Sequence, residues 1–256
     1  MTPALPPDFV NVPIAHRGLH DVSMNRPENS RASVRAAIDA GYGIELDLQL
    51  SADGDAMVFH DYHLGRLTGM TGPVRARTCA ELREIPLLHG QGETIPALKD
   101  ILALVDGRVP LLLELKDQDG AMGPDIGPLE AATARALSGY RGPVALMSFN
   151  PHTVNELGRV VPDYPRGLVT SDYDPGDWPL PREICDRLRE IPDFEPVGAS
   201  FVSHEASDLD RARVQKLRDA GAPVLCWTIR SAEAEARARQ YADNVTFEGY
   251  RAKIPA

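Results

Sequence analysis

Two pairs of ionisable residues at strand spacing dominate the chemistry written into this chain. Glu45 and Asp47 stand two apart in GIELDLQL (43–50), and Glu114 and Lys116 stand two apart in LLLELK (111–116). On an extended strand, residues i and i+2 point to the same side, so each pair projects together while the leucine between them points away. Three carboxylates gathered in one mouth repel each other unless protonated or neutralised, and a hard divalent cation is the usual neutraliser. Mg²⁺ or Ca²⁺ suits such an all-oxygen set, whereas zinc more often recruits Cys or His. The competing reading is a structural salt-bridge layer in which the carboxylates pair with Arg17 or Lys116.

His16-Arg17-Gly18 and His60-Asp61 each close a short apolar run. Histidine titrates nearest neutrality, so His16 and His60 can act as base and acid on opposite sides of a reacting group. Arg17 offers a planar fork to phosphate oxygens, and Gly18 lets a ligand approach the backbone. Several of the remaining histidines (His20, His63, His89, His152 and His204) are expected to have no chemical role. Two histidines, two cations and three carboxylates together point to metal-assisted phosphodiester chemistry. No GxSxG is present, and Cys226, between Leu225 and Trp227, reads as a buried structural thiol. An Arg and a Lys beside the carboxylates suit an anion better than a neutral sugar.

Such a site needs strands that end together. Short β-branched runs recur at 12–16, 43–50, 57–60, 110–115, 144–149, 166–171, 197–202, 223–229 and 244–248. Helical spacing predicts helices over 29–40, 78–84, 97–105, 128–138, 151–160, 181–190, 207–220 and 231–240. Asn29 or Ser30 can cap the first helix, and Gly41 and Gly221 follow the first and seventh. Asp53-Gly54 is a tight-turn signal between the second and third runs, so these two read as a hairpin and cannot be consecutive parallel strands. Eight strands alternating with helices remain, and they predict a (β/α)₈ barrel of the TIM type, with chemistry at the C-terminal strand ends. The expectation is one barrel domain over 1–256, its core at 10–250, with 51–109 holding the hairpin and a small insertion. Residues before the first strand read as a lead-in. A doubly wound sheet would need a glycine-rich phosphate turn after the first strand, and none is there.

Composition narrows the partners. With 27 Lys and Arg against 37 Asp and Glu, the chain carries a net charge of −10. That argues against nucleic acid or an anionic membrane held on a broad basic surface. No run approaches the length of a membrane span. Three cysteines far apart suggest neither a disulfide framework nor a zinc cluster, and a soluble protein of the reducing cytoplasm is expected.

The chain also resembles the glycerophosphodiester phosphodiesterases. The resemblance rests on His16-Arg17-Gly18, Arg26-Pro27-Glu28-Asn29-Ser30, the ExD of Gly43 to Gln49, Ser51-Ala52-Asp53-Gly54 and Val58-Phe59-His60-Asp61. It continues through Leu64 to Thr68, Thr94 to Leu98, Glu114-Leu115-Lys116, Ser148-Phe149 and Trp227-Thr228, in family order. It implies a (β/α)₈ barrel and metal-dependent hydrolysis of a small-molecule glycerophosphodiester to sn-glycerol 3-phosphate and an alcohol. Under it, His16 and His60 are the acid/base pair, and Glu45, Asp47 and Glu114 hold the metal. Arg17 and Lys116 bind phosphate, and Phe149 and Trp227 line the glycerol end. Two departures stand out. Ser30 replaces the usual Thr, and the last strand ends in Phe247-Glu248 where the family more often has Thr-Asp, which leaves Glu248 outside the expected site. The rival readings are a related barrel phosphodiesterase acting on lysophospholipids and a silent barrel that binds a phosphorylated ligand.

Overall fold

The computed structural model describes residues 2–255. The chain runs α1 (Asp8–Asn11), β1 (Ile14–Ala15), α2 (Arg31–Ala40), β2 (Gly43–Leu50), β3 (Ala56–Val58), α3 (Gly65–Thr68), α4 (Cys79–Leu82) and α5 (Leu98–Val105). It continues β4 (Leu111–Leu115), α6 (Pro128–Leu137), β5 (Val144–Ser148), α7 (Pro151–Val160), β6 (Arg166–Thr170), α8 (Arg182–Arg189), β7 (Phe201–Glu205), α9 (Ala212–Asp219), β8 (Val224–Ile229), α10 (Ala232–Ala238) and β9 (Asn244–Phe247). β1 pairs in parallel with both β2 and β9, which closes eight strands into a barrel, while β3 pairs antiparallel with β2 outside the ring. This is the expected TIM barrel.

Strand alternation decides what faces where. In β2, Ile44, Leu46 and Leu48 pack outward against Val34 and Ala37 of α2 and Ile101 and Leu102 of α5. Glu45 and Asp47 are thereby turned inward. The barrel floor is filled by Ile14, Leu112, Ala145, Val169, Phe201 and Leu225, with Leu5 and Phe9 closing it from below. Phe9 is fully buried, so the segment read as a lead-in is a plug for the barrel bottom. An apolar floor leaves the charged residues only the upper rim. α2 is fixed at both ends, by a Ser30 capping box with Ser33 and by Gly41 in the left-handed conformation.

The largest departures from the sequence reading fall at the seventh strand and the helix after it. The strand starts at 201, four residues later than expected, because 193–198 forms tight turns that close on a left-handed Gly198. Trp227 Nε1 donates to the Ser203 carbonyl at 3.1 Å and His204 Nδ1 lies 2.7 Å from Thr170 Oγ1, while the buried Ser203 Oγ has no hydrogen-bond partner. The following helix is split into a 3₁₀ turn at Ala206–Asp208 and α9. His204 Nε2 sits 3.2 Å from the Asp208 carbonyl and brackets that turn. The insertion carries its own small core of Met57, Phe59, Leu64, Val74, Leu82 and Ile95. Among the described residues no helix is long and apolar enough to cross a membrane.

Burial lowers the pKa of His204, and this effect outweighs the opposing influence of Asp208. The unfolded chain therefore binds a proton near the ordinary histidine value of 6.5 that the folded chain refuses. Stability is expected to fall as pH drops below that value, by up to about 1.4 kcal/mol per pH unit from this group. Urea unfolding at several pH values should show a shallower acid slope in His204→Gln than in the wild type. An identical slope would assign the acid sensitivity elsewhere.

Candidate active site

The parallel register of β2 and β4 sets Asp47 beside Glu114, with Glu45 one inward position below Asp47. One oxygen from each of Glu45, Asp47 and Glu114 lies within 4.8 Å of the others, and all three residues are buried. Lys116 Nζ reaches Asp47 Oδ1 at 2.7 Å and Glu114 Oε1 at 2.5 Å. Arg17 Nε lies 3.3 Å from Asp47 Oδ2, which also accepts from Asn29 Nδ2 at 2.8 Å. Burial alone would raise the Asp47 pKa, but Lys116, then His60 and Arg17, hold it far below the usual carboxylate range. Burial likewise works against the Lys116 ammonium, and Asp47 and Glu114 overcome it, so its pKa lies above the ordinary lysine value.

Glu45 is different. Burial, and then the charges of Asp47 and Glu114, push its pKa well above the ordinary value. Its Oε2 accepts from the Arg17 backbone N–H at 3.0 Å, while its buried Oε1 has no hydrogen-bond partner. The salt-bridge-layer reading therefore accounts for Asp47 and Glu114 through Lys116 but leaves Glu45 unmatched. Buried polar atoms rarely stay unpaired, and a hard divalent cation among the three carboxylates supplies the missing partner. The residues fit a metal.

Each histidine is anchored by a carboxylate. His16 Nδ1 lies 2.5 Å from Glu248 Oε2, and His60 Nδ1 lies 2.7 Å from Asp61 Oδ1. With Nδ1–H donating to the acid, the Nε2 of each ring is left free to accept or deliver a proton. Burial lowers the His16 pKa against the hydrogen bond its ring donates to Glu248, which favours the neutral ring. Glu248 is in turn held by Arg230 Nε at 2.8 Å, and hydrogen bonds from His16 and His20 hold its carboxyl far below the usual range. The sequence reading left Glu248 outside the site. The signal was its place at the end of β9, next to β1 in the closed ring. Because an outer carboxylate that orients a working histidine is commonly worth tenfold to a hundredfold, Glu248→Gln should cut turnover by about 10- to 100-fold. Glu248→Asp should recover part of the loss in steady-state assays.

Arg17 holds a left-handed backbone (φ 54°), an uncommon state that is enriched at functional sites. Its guanidinium donates to Glu28 Oε1 at 2.7 Å, and Glu28 is shared with Arg66. The Glu28-Asn29 pair of the RPENS segment thus orients two site residues, Arg17 and Asp47. A Cβ at Gly18 would meet Ser33 Oγ at 2.5 Å at a φ of +77°, so the glycine also lets the first loop close onto α2. Phe149 and Trp227 meet edge to face with ring centroids 5.6 Å apart.

A cavity of about 180 Å³ is lined by His16, Arg17, Glu45, His60, Glu114, Lys116, Phe149 and Trp227. Asp47 alone of the expected site residues does not line it; it stands behind, 1% exposed, holding Lys116 and Arg17. A larger groove of about 660 Å³ beside His20 and Arg66 includes none of the three clustered carboxylates. Cys226 is buried with its thiol pushed up to about 12 by burial, which suits the structural role expected of it.

Known proteins match over the same elements. A phosphodiesterase of Oleispira antarctica, solved in complex with the product sn-glycerol-3-phosphate, superposes with a TM-score of 0.76 at 26% identity, covering 94% of each chain. The Bacillus subtilis protein YhdW is 27% identical over 232 residues, 88% of each chain. A glycerophosphodiester phosphodiesterase of Caldanaerobacter subterraneus is 32% identical over 165 residues, covering 61% of this chain and 65% of its own length. The family model for glycerophosphoryl diester phosphodiesterases matches residues 16–244, from the histidine that ends β1 to the first residue of β9. The chain belongs to the glycerophosphoryl diester phosphodiesterase family.

Proposed function

We propose that the protein hydrolyses glycerophosphodiesters to sn-glycerol 3-phosphate and an alcohol, with Mg²⁺ or Ca²⁺ held by Glu45, Asp47 and Glu114. The observation that carries this reading is a pair of carboxylate-anchored histidines lining one 180 Å³ cavity with two partly buried cations and a carboxylate whose Oε1 has no partner. When bound, such an ion supplies Lewis-acid polarisation of a phosphoryl oxygen. Arg17 and Lys116 bind the remaining phosphate oxygens and orient the diester. One histidine takes the proton at its free Nε2 from the attacking water, or from the adjacent glycerol hydroxyl to give a cyclic phosphate that water then opens to glycerol 3-phosphate. The other delivers a proton to the departing alcohol oxygen. Phe149 and Trp227 pack the glycerol carbons.

The charge balance sharpens the test. Without metal, Arg17 and Lys116 are taken up by Asp47 and Glu114, and no positive charge is left over for an anionic substrate. Calorimetric titration with glycerol 3-phosphate should therefore show binding in Mg²⁺ or Ca²⁺ that weakens sharply in EDTA. A panel of glycerophosphodiesters assayed with EDTA and metal add-back should show turnover restored by the metal. Affinity and turnover that ignore the chelator would sink the metal assignment.

A further inference from the structure

The groove of about 660 Å³ shares no lining residue with the 180 Å³ cavity of the carboxylate cluster. Three stretches far apart in the chain build it. In the loop after β1, Asp21 and Arg26 pair as an antiparallel bridge around a left-handed Asn25 (φ 57°), which carries Val22 and Arg26 to one wall. In the insertion, a bridge between Pro86 and Thr94 closes the turn that presents Leu88 and His89. The Leu88 N–H donates to the Leu67 carbonyl at 2.8 Å and ties that turn to α3. The segment after β9 completes the groove with Glu248, Tyr250 and Arg251.

Its donors outnumber its acceptors. Arg26 Nε and His20 Nε2 are both buried atoms, and neither has a hydrogen-bond partner. Asp21 Oδ2 stops 3.6 Å from Arg26 Nη2, and Glu248 Oε2 stops 3.5 Å from His20 Nε2. The acids of the groove are committed elsewhere: Glu28 to Arg17 and Arg66, Glu248 to His16 and Arg230, and Asp21 to the N–H and hydroxyl of Ser23. Arg251 and His89 add two further exposed donors to the lining. Buried donors rarely stay unpaired, so these two point to an acceptor that a ligand brings. The rest of the wall is apolar. Val22 and Leu88, 59% and 44% exposed, line the groove together with Leu19, Leu67 and Tyr250. Exposed apolar side chains gathered beside polar ones in one groove are a mark of a ligand surface.

We infer that this groove is a second ligand site, built for an amphipathic anion: a carboxylate or phosphomonoester head on Arg26 and His20, with an aliphatic body along Val22, Leu67 and Leu88. The inference goes beyond the phosphodiesterase reading and does not need it, because no member of the carboxylate triad lines the groove. An anionic head gives both orphaned donors an acceptor, and bonds to a charged acceptor are the stronger kind. An aliphatic body covers side chains that otherwise face water. Inorganic phosphate would leave the apolar wall wet, a neutral chain would leave the donors unpaired, and a cation would meet Arg26, Arg66 and Arg251.

Calorimetric titration in EDTA isolates this site, because the metal-free triad cavity is expected to hold phosphate poorly. Octanoate and octyl phosphate are titrated separately, each below its micelle-forming concentration. At least one should bind saturably at one site per chain, and the tighter of the two identifies the head. Inorganic phosphate and 1-octanol each lack half of the ligand and should bind at least about tenfold more weakly. Arg26→Gln should weaken the amphiphile by about tenfold, the usual loss of a charge-assisted hydrogen bond. Leu88→Asp should weaken it severalfold, and since it alters an exposed side chain it serves even where Arg26→Gln does not fold. Circular dichroism checks both variants, and a loss of affinity in either folded variant upholds the placement. The inference is overturned by no binding of either amphiphile, by binding that begins only with micelles, or by inorganic phosphate binding as tightly. Affinity unmoved in every folded variant overturns it as well. No turnover is read in this experiment, so its outcome stands apart from that of the phosphodiesterase assay.

Discussion

Turnover of glycerophosphocholine should fall by about 10²- to 10⁴-fold in His60→Ala, and by a similar factor in His16→Ala, with Mg²⁺ or Ca²⁺ saturating. Each ring has Nδ1 fixed by a carboxylate, Glu248 for His16 and Asp61 for His60, so each presents one defined nitrogen to the cavity. Asp61 is itself gripped by Arg66 Nε at 2.8 Å, and Arg66 also holds Glu28, which orients Arg17. His60 and Arg17 are thus tied into one ionic chain through Asp61, Arg66 and Glu28. In the proposed mechanism, alanine at either position removes a proton carrier and leaves the three carboxylates in place. Calorimetry with glycerol 3-phosphate should accordingly show that metal-dependent product binding survives when the rate does not. Both alanine variants retaining near-wild-type kcat would remove these histidines from the chemistry.

Glu45→Gln should separate stability from function. The buried Glu45 carboxylate faces Asp47 and Glu114 with its Oε1 unpartnered. A raised folded-state pKa means that the unfolded chain loses this proton first. In metal-free protein, stability is therefore expected to fall as pH rises above the ordinary glutamate value of 4.5. The amide removes that liability, and metal-free Glu45→Gln should be more stable than metal-free wild type at neutral pH by roughly 1–3 kcal/mol. For a chain of this size each kcal/mol is worth roughly 2–4 °C in Tm. Adding Mg²⁺ or Ca²⁺ should raise the wild-type Tm and leave the variant nearly unmoved. Activity should drop by about 10³-fold or more, the several kcal/mol that a Lewis acid contributes. Scanning calorimetry with and without metal reads the first effect and steady-state kinetics the second. A variant that is both less stable without metal and still rescued by it would favour the salt-bridge layer.

A satisfied ion-pair layer is rigid but needs nothing. Here Lys116 and Arg17 neutralise two carboxylates and leave the third, Glu45, buried beside them. The imbalance costs stability in the absence of metal, which is the usual sign of a site built to hold something. The net charge of −10 belongs mostly to the outside of the barrel. At the mouth the sign depends on whether the triad is metal-loaded.

The sequence by itself determined much of this protein. Period-two alternation in GIELDLQL and LLLEL settled that Glu45, Asp47 and Glu114 face one side, because side-chain direction on a strand follows from backbone geometry alone. The Asp53-Gly54 turn separated the hairpin from the barrel, and Ser30 and Gly41 bounded the first helix. Tertiary structure decided what depends on neighbours distant in sequence. Glu248 reaches His16 across 232 positions because β9 closes the ring against β1. Phe9 is core because the barrel needs a floor, and the strand at 201–205 carries His204 because Thr170 gives its ring a partner. Gly18 answers to Ser33 of α2. A cavity of about 280 Å³ lined by Tyr62, Met122 and Trp178 is assembled from three loops whose order in the chain carries no trace of their meeting. Local patterns fix which way a side chain points; only closure of the barrel fixes what it points at.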